Sequence, residues 1–419
     1  MNSANANTSS SAAAESPDRA PRGRETLLIA ALGVAQIVSW GTLYYSFSLF
    51  VLPMQESLGW SLTQLNGALT TGLLVAGVCA FPVGAYIDRH GGRALMTAGA
   101  LGAVALLCAW SQVETLTAFY AVWFGLGACM AAVLYEPLFV VLTYHFKEHA
   151  RRAITTLTLV AGFASTVFMP LIETLLGHLP WRDVLLILAL IYAAITVPVH
   201  ALLIPPRTND GAHTAGPAEH GAARAYLRTR LGDPTFWGLT IWFTAYIGTA
   251  SGLMFQLVPY LKANGVTTAI ILLTIALVGP SQVAGRLLLM LAGDRASTIA
   301  VGAATTTLTP LAVLLLILAP GSMATLGLFA VMFGVANGVT TILRGVAPAE
   351  WLGRAHYGSV MGVMGAPMMI AAALAPLLTA AIWTASGSPQ TMQWAVLAVA
   401  LLGAAGFWLA VCTREPSTD

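Results

Sequence analysis

Polar positions are the exception along this chain. They gather into short clusters, and between the clusters lie apolar runs of about twenty residues, the length a helix needs to cross a hydrocarbon core. Twelve such runs can be drawn, at 27–51, 62–86, 94–111, 116–144, 153–176, 183–204, 235–260, 267–292, 298–319, 323–346, 357–384 and 391–412. They do not alternate in polarity and are about twice as long as a barrel strand, so they predict helices. The polar remainder divides the chain into a tail over 1–25, six helices over 26–205, a linker over 206–232, six more over 233–413 and a tail over 414–419. The expected fold is an all-α membrane protein, twelve transmembrane helices in two pseudo-symmetric six-helix bundles.

Composition agrees. Hydrophobic residues make up 57% and charged residues 9% of the 419, too few charges to solvate the surface of a soluble chain of this size. The first 25 residues are rich in Ser, Ala and Asn and hold no apolar core, so they read as a disordered cytoplasmic tail rather than a signal peptide. With both termini placed inside, fifteen of the nineteen Lys and Arg fall on the inner side and only Arg182 and Lys262 outside. The positive-inside rule then gives cytoplasmic termini, and the expected location is a bacterial-type inner (plasma) membrane. A net charge of +2 concentrated on one face does not suggest a nucleic-acid partner. Cys79, Cys108, Cys129 and Cys412 form no CxxC pair and read as packing residues; His213 and His220 in the linker are too sparse for a metal site. No cofactor is expected, and no catalytic set falls in a plausible pocket. The chain is expected to be a monomer.

The second and third runs are joined by Gly84-Ala85-Tyr86-Ile87-Asp88-Arg89-His90-Gly91-Gly92-Arg93, a tight charged turn. A weaker copy, Gly293-Asp294-Arg295, recurs 206 residues later. Together with twelve helices and a long central linker, this turn resembles the signature of the major facilitator superfamily at Gly84, Asp88, Arg89, Gly91 and Arg93. The departure is Gly92, where many members carry a further basic residue. The resemblance implies the major facilitator fold and a cytoplasmic gate, with Asp88 and Arg89 tying helix 2 to helix 11 and the neighbouring loop. Arg93, Asp294 and Arg295 are carried along as gate candidates. In the second copy Met290, Ser297 and Ile299 replace the counterparts of Gly84, Gly91 and Arg93, so its gating role is weaker; a purely topological role for the basic residues stays open.

A second repeat pairs Phe124-Gly125-Leu126-Gly127 in helix 4 with Phe333-Gly334-Val335-Ala336 in helix 10, an offset of 209. Carried forward, it places Glu136 and Arg344 near the same point of their helices. A charge near the centre of a membrane helix costs about 2.5–3.5 kcal/mol on insertion scales, so both should face water or each other. Two readings remain open: the pair meets across the bundle interface and breaks during alternation, or each charge is satisfied within its own bundle. Pro137, lacking an N–H, frees a carbonyl and allows a bend beside Glu136. If transport is coupled to protons, Glu136 is the candidate carrier.

Arg286, in helix 8, has no Asp or Glu within a turn on either side. It can await an anionic substrate, which it would hold bidentately, or it can pair with another helix, Glu136 foremost. Ser39-Trp40-Gly41-Thr42-Leu43-Tyr44-Tyr45 in helix 1, Leu58-Gly59-Trp60-Ser61 after it, Leu73-Leu74-Val75-Ala76-Gly77 in helix 2 and Gly285-Arg286 resemble the monocarboxylate transporter and oxalate–formate antiporter branch. That resemblance implies that Arg286 contacts the substrate carboxylate. Gln282 stands where proton-coupled animal members have an aspartate, and helix 11 lacks the lysine of dicarboxylate carriers. A monoanion suits one cavity arginine, with Arg344 as a second. Tyr44, Tyr45, Tyr135, Tyr246, Gln256 and Asn337 are weaker cavity candidates. Gly72/Gly77 and Gly358/Gly362/Gly365 read as close helix contacts, and Trp60, Trp110, Trp181 and Trp351 as interfacial anchors.

The expected function is proton-coupled, alternating-access transport of a small organic anion, a monocarboxylate. The partners are that anion, protons and membrane lipid. The alternatives are an efflux pump for a drug or toxic anion and, further off, a non-transporting receptor on the same fold. Helix 5 lacks the Gly-Pro motif common in drug exporters, having Ala161-Gly162-Phe163 and Met169-Pro170 instead.

Overall fold

The computed structural model describes residues 23–206 and 225–414; the side chains of Arg24 and Asp294 are also outside the description. Most of the two tails and the linker, including Arg207, His213 and His220, therefore lies outside the described residues. Among the described residues, besides a short helical stretch at 225–231, twelve long helices follow: α1 (Glu25–Leu58), α2 (Leu62–His90), α3 (Arg93–Ser111), α4 (Leu116–Val133 and Tyr135–Phe146), α5 (Ala150–Ala161 and Ala164–Leu176), α6 (Trp181–Leu203), α7 (Pro234–Ala263), α8 (Thr268–Ala292), α9 (Thr298–Leu318), α10 (Met323–Trp351), α11 (Tyr357–Ser386) and α12 (Pro389–Thr413). Their outer faces carry exposed leucines such as Leu190 (69%) and Leu202 (72%), as helices that face lipid do.

The halves repeat one packing scheme. In the first, α1 packs on α5 and α6, α2 on α4, and α3 on α4 and α6; in the second, α7 packs on α11 and α12, α8 on α10, and α9 on α10 and α12. The α2–α4 crossing is close because Gly72 meets Gly127 backbone to backbone, and the α8–α10 crossing because Gly338 meets the Gln282 backbone. Between the halves, α2 lies along α11 while the first segment of α5 touches α8 and α10.

Prolines break the regularity where a neighbour can repair it. Pro137 has no N–H for the Val133 carbonyl, and Gln36 Nε2 of buried α1 donates to that carbonyl at 2.7 Å. Pro376 leaves the Ala372 carbonyl of α11 free in the same way, and Ser251 Oγ of α7 donates to it at 2.8 Å. Beside Pro137 the bend becomes a break: Leu134 turns extended, and the second segment of α4 begins at Tyr135. In α1, Gly41–Tyr45 is a π-helical turn, and Gly41 admits the Phe168 ring where a methyl group would overlap it.

Three expectations from the sequence need correcting. The signature turn is mostly helix: α2 continues through Asp88 and Arg89 to His90, and only Gly91, at φ +78, and Gly92 connect it to α3. Nothing before Gly91 breaks the helix. Trp110 and Trp181 are not interfacial anchors; both are buried, Trp110 against Phe50 and Trp123, and Trp181 with Nε1 donating to Ser57 Oγ at 2.9 Å. Packing within the first bundle outcompetes the interface there. Helix 10 also extends past the expected 346 to Trp351, carrying Pro348 within it.

Candidate functional site

A cavity of about 620 Å³ lies between the bundles. Helix 1 supplies Trp40, Tyr44 and Tyr45, the two tyrosines from the π-turn, and helix 4 supplies Tyr135 and Glu136 at the start of its second segment. The second bundle supplies Tyr246, Asn337, Arg286 and Arg344. Of the lining rings, Trp40, Tyr44, Tyr45 and Tyr135 come from the first bundle and Phe243, Tyr246 and Phe255 from the second, while Arg286 and Arg344 both come from the second.

Arg286 is 4% exposed. Its Nε donates to the Gly338 carbonyl of α10 at 3.2 Å, and Nη1 crosses to the other bundle, donating to the Thr158 carbonyl of α5 at 2.9 Å. Space for this bridge comes from Gly162, where a methyl group would overlap Nη1. The pair Gly162-Phe163 interrupts α5 at that level. Among the described residues Arg286 has no carboxylate within ion-pair distance, and Nη2 makes no hydrogen bond yet is not sealed from the cavity. A guanidinium satisfied only by two neutral carbonyls keeps its full positive charge uncompensated.

Arg344 is satisfied differently. Its Nη2 lies 3.0 Å from Glu136 Oε1, an ion pair across the bundles with side-chain exposures of 11% and 22%. The alignment is poor: Glu136 Oε1 and Arg344 Nε are buried without a hydrogen-bond partner. Glu136 sits in the first turn of a helical segment, where the dipole favours an anion. The structure thus brings Glu136 to Arg344, and not to Arg286.

Among the weaker candidates, Tyr246 OH donates to Asn337 Oδ1 at the cavity wall. Gln256 is turned away; its Nε2 donates to the Pro376 carbonyl at 3.3 Å and it does not line the cavity.

The face that carries the linker is sealed beneath this cavity. Asp88 is buried and accepts four hydrogen bonds: from Gly358 N (2.7 Å) and Tyr144 OH (2.6 Å) on Oδ1, and from Ser359 N (2.7 Å) and Ser359 Oγ (2.6 Å) on Oδ2. A carboxylate of the first bundle therefore caps α11 of the second, whose own N-cap residue, His356, provides no side-chain bond. The cap is possible because Gly84 and Gly358 touch backbone to backbone; a methyl on either would overlap the other helix. Arg93 acts elsewhere, with Nε donating at 2.6 Å to the Ile204 carbonyl at the end of α6 in its own bundle. Arg89 and Arg295 are exposed on this face, and the Asp294 side chain lies outside the described residues. The second copy of the turn is engaged through its backbone: Arg151 Nη2 of α5 donates to the Ala296 carbonyl. Arg354 and Glu148 add an exposed ion pair at 3.0 Å. Neither Tyr144, Ser359, Arg151 nor Thr158 was singled out from the sequence. Tyr144 and Ser359 could have been suspected only from the trans-capping geometry, and the role of Thr158 is its backbone, which carries no sequence signal.

The model of the Major Facilitator Superfamily matches residues 32–319. The Bacillus subtilis protein YcxA, described as an uncharacterized MFS-type transporter, is 26% identical over 157 residues, 37% of this chain and 38% of that protein. The match to that curated relative thus spans well under half its length. Among solved structures, the human organic anion transporter MFSD10 (TETRAN) superposes with a TM-score of 0.71 at 16% identity, over 94% of this chain and 100% of that one. The Escherichia coli fucose:proton symporter FucP gives 0.71 at 17% identity, over 93% of this chain and 98% of that one. The shared fold, and the family match over more than half the sequence, place this multi-pass membrane protein in the Major Facilitator Superfamily.

Proposed function

We propose that the protein is a secondary active transporter that moves a small organic anion, a monocarboxylate, by proton-coupled alternating access. The observation that carries this reading is Arg286, a buried cation that lines the cavity with no carboxylate partner among the described residues. An anion at its free Nη2 would neutralise the site, whereas a neutral cargo would leave the charge uncompensated. The linker face, richer in Lys and Arg, is read as cytoplasmic: Arg89, Arg93, Lys147, Arg151, Arg152, Arg295 and Arg354 lie there, against Arg182 and Lys262 opposite. All described hydrogen bonds and ion pairs between the bundles lie between the cavity and this face, so we read the conformation as open outward.

In this reading the anion competes with the Thr158 carbonyl for Arg286 and so loosens the α5–α8 contact. Protonation of Glu136 would release Arg344 and supply the coupling. The test is uptake of labelled monocarboxylates by proteoliposomes under an imposed pH gradient. Saturable, gradient-dependent uptake that is lost in Arg286→Ala is expected, with Glu136→Gln losing the pH dependence. No saturable uptake of any monocarboxylate, or full activity of Arg286→Ala, would overturn the assignment. Export of a drug or toxic anion is the second reading, favoured by the breadth of the cavity and its aromatic wall. Accumulation driven by an outward rather than an inward proton gradient would select it.

A further inference from the structure

The site described above explains how a negative charge is held but leaves the rest of the cavity without a use. A volume of about 620 Å³ holds about twenty waters, far more space than a two- or three-carbon acid fills. Its first-bundle wall is a contiguous aromatic surface. Trp40 meets Tyr44 edge-on at 5.4 Å between ring centroids, Tyr45 at 6.2 Å and Tyr135 at 5.1 Å, and Tyr44 meets Tyr45 edge-on at 5.4 Å. The local backbone is irregular where this wall forms: the π-turn Gly41–Tyr45 brings two consecutive tyrosines to the cavity, and α4 restarts at Tyr135. Trp40 is not kept for its hydrogen bond, because its indole Nε1 has no partner among the described residues. Its ring is held by packing, against the neighbouring rings and the apolar core. Across the cavity lie the thioethers of Met254, Met361 and Met369, which adapt to flat apolar groups.

We infer that the cargo is a ring-bearing carboxylate, oriented across the two bundles with its carboxylate on Arg286 and its ring against the wall of Trp40, Tyr44, Tyr45 and Tyr135. This rests on the anion reading above and narrows it. Short aliphatic acids offer the wall nothing to stack on, whereas a planar ring gains edge-to-face contacts with several of these groups. Recognition would then need both bundles at once, the charge read by the second and the body by the first.

Isothermal titration of the purified full chain in detergent tests the inference with three sets of probes: benzoate, 3-phenylpropionate and indole-3-acetate; acetate, propionate and lactate; benzyl alcohol and benzamide. The ring-bearing acids are expected to bind about ten- to a hundred-fold more tightly than the aliphatic acids. In Trp40→Leu that ratio should fall about ten-fold, and Trp40→Phe should restore most of it. Should Trp40→Leu fail to fold, the ratio in the native chain still decides. Equal affinity for ring-bearing and aliphatic acids would overturn the ring assignment and leave the anion reading standing. Uncharged ring compounds binding as tightly as the acids would overturn the anion reading itself. Absence of binding by every acid would overturn both.

Discussion

Two seams join the bundles below the cavity, and they are built on opposite plans. Along α2 and α11 the contact is made by removing side chains: Gly84 and Gly358 bring backbones together, and Asp88 accepts three hydrogen bonds from the N-terminus of α11 and a fourth from Tyr144 of its own bundle. Along α5 and α8 the contact includes one large cation, Arg286, whose Nη1 reaches the Thr158 carbonyl while the same side chain lines the cavity. In the first seam, Asp88, Tyr144 and Ser359, the side chains that make the cap, do not line the cavity. The second can be influenced by an anion, because the group that bridges the helices is also the group an anion would draw. In the proposed reading, the difference separates a gate that sets the closed geometry from one that can respond to cargo.

The comparison breaks most severely at Arg286. Its truncation in Arg286→Ala is expected to weaken anion binding about a hundred-fold, the scale for removing one partner from a buried charged contact. Arg286→Lys should not restore it, since an ammonium on a flexible stem cannot reach Gly338 and Thr158 in the planar geometry the guanidinium uses. Equilibrium binding to purified protein reads both. On the other seam, Asp88→Asn keeps the shape but turns an amide toward donors on Gly358 and Ser359. A loss of about 1–3 kcal/mol is expected for the closed state. Electron–electron resonance between labels at Arg152 and Arg295, both exposed on this face, would show it as a longer distance without loss of anion binding.

A subtler variant sharpens the contrast. Gly162→Ala places a methyl where Nη1 now lies, so the guanidinium must shift, and about a ten-fold loss of affinity is expected with the fold retained. Titration together with a thermal unfolding midpoint separates the two effects. The smallest effect is expected at the exposed Glu148–Arg354 pair. The backbone N–H of Glu148 and the Arg354 guanidinium hold the Glu148 carboxyl below its usual range. A depressed carboxyl contributes where it is ionised and loses that contribution only as pH falls through the lowered value, so the pair should be unaffected from pH 5 to 8. Glu148→Gln should therefore change uptake less than about two-fold, and it should leave any pH dependence near neutrality intact.

The sequence makes the helices and their repetition legible because both are written in long-range apolar spacing, which packing obeys. The charges at Glu136, Arg286 and Arg344 were also legible, since an ionisable group inside an apolar run stands out by its cost. Their partners were not. Arg286 is held by the carbonyls of Thr158 and Gly338, and any residue can supply a carbonyl. The signature turn likewise identified Asp88, but its role depends on where α11 begins, a fact fixed by the meeting of two helices 270 positions apart. Trp110 and Trp181 were misread because a tryptophan near a helix end can serve either lipid or a bundle's closed end, and spacing does not tell them apart.

In the proposed reading one guanidinium, that of Arg286, serves both the anion and the α5–α8 seam. The direct test is the Arg152–Arg295 label distance in liposomes, measured without and with a saturating carboxylate already shown to bind. The carboxylate is expected to lengthen or broaden the distance distribution in the otherwise native chain and to leave it unchanged in Arg286→Ala. A carboxylate that binds at the cavity and leaves the native distribution as it was would contradict it.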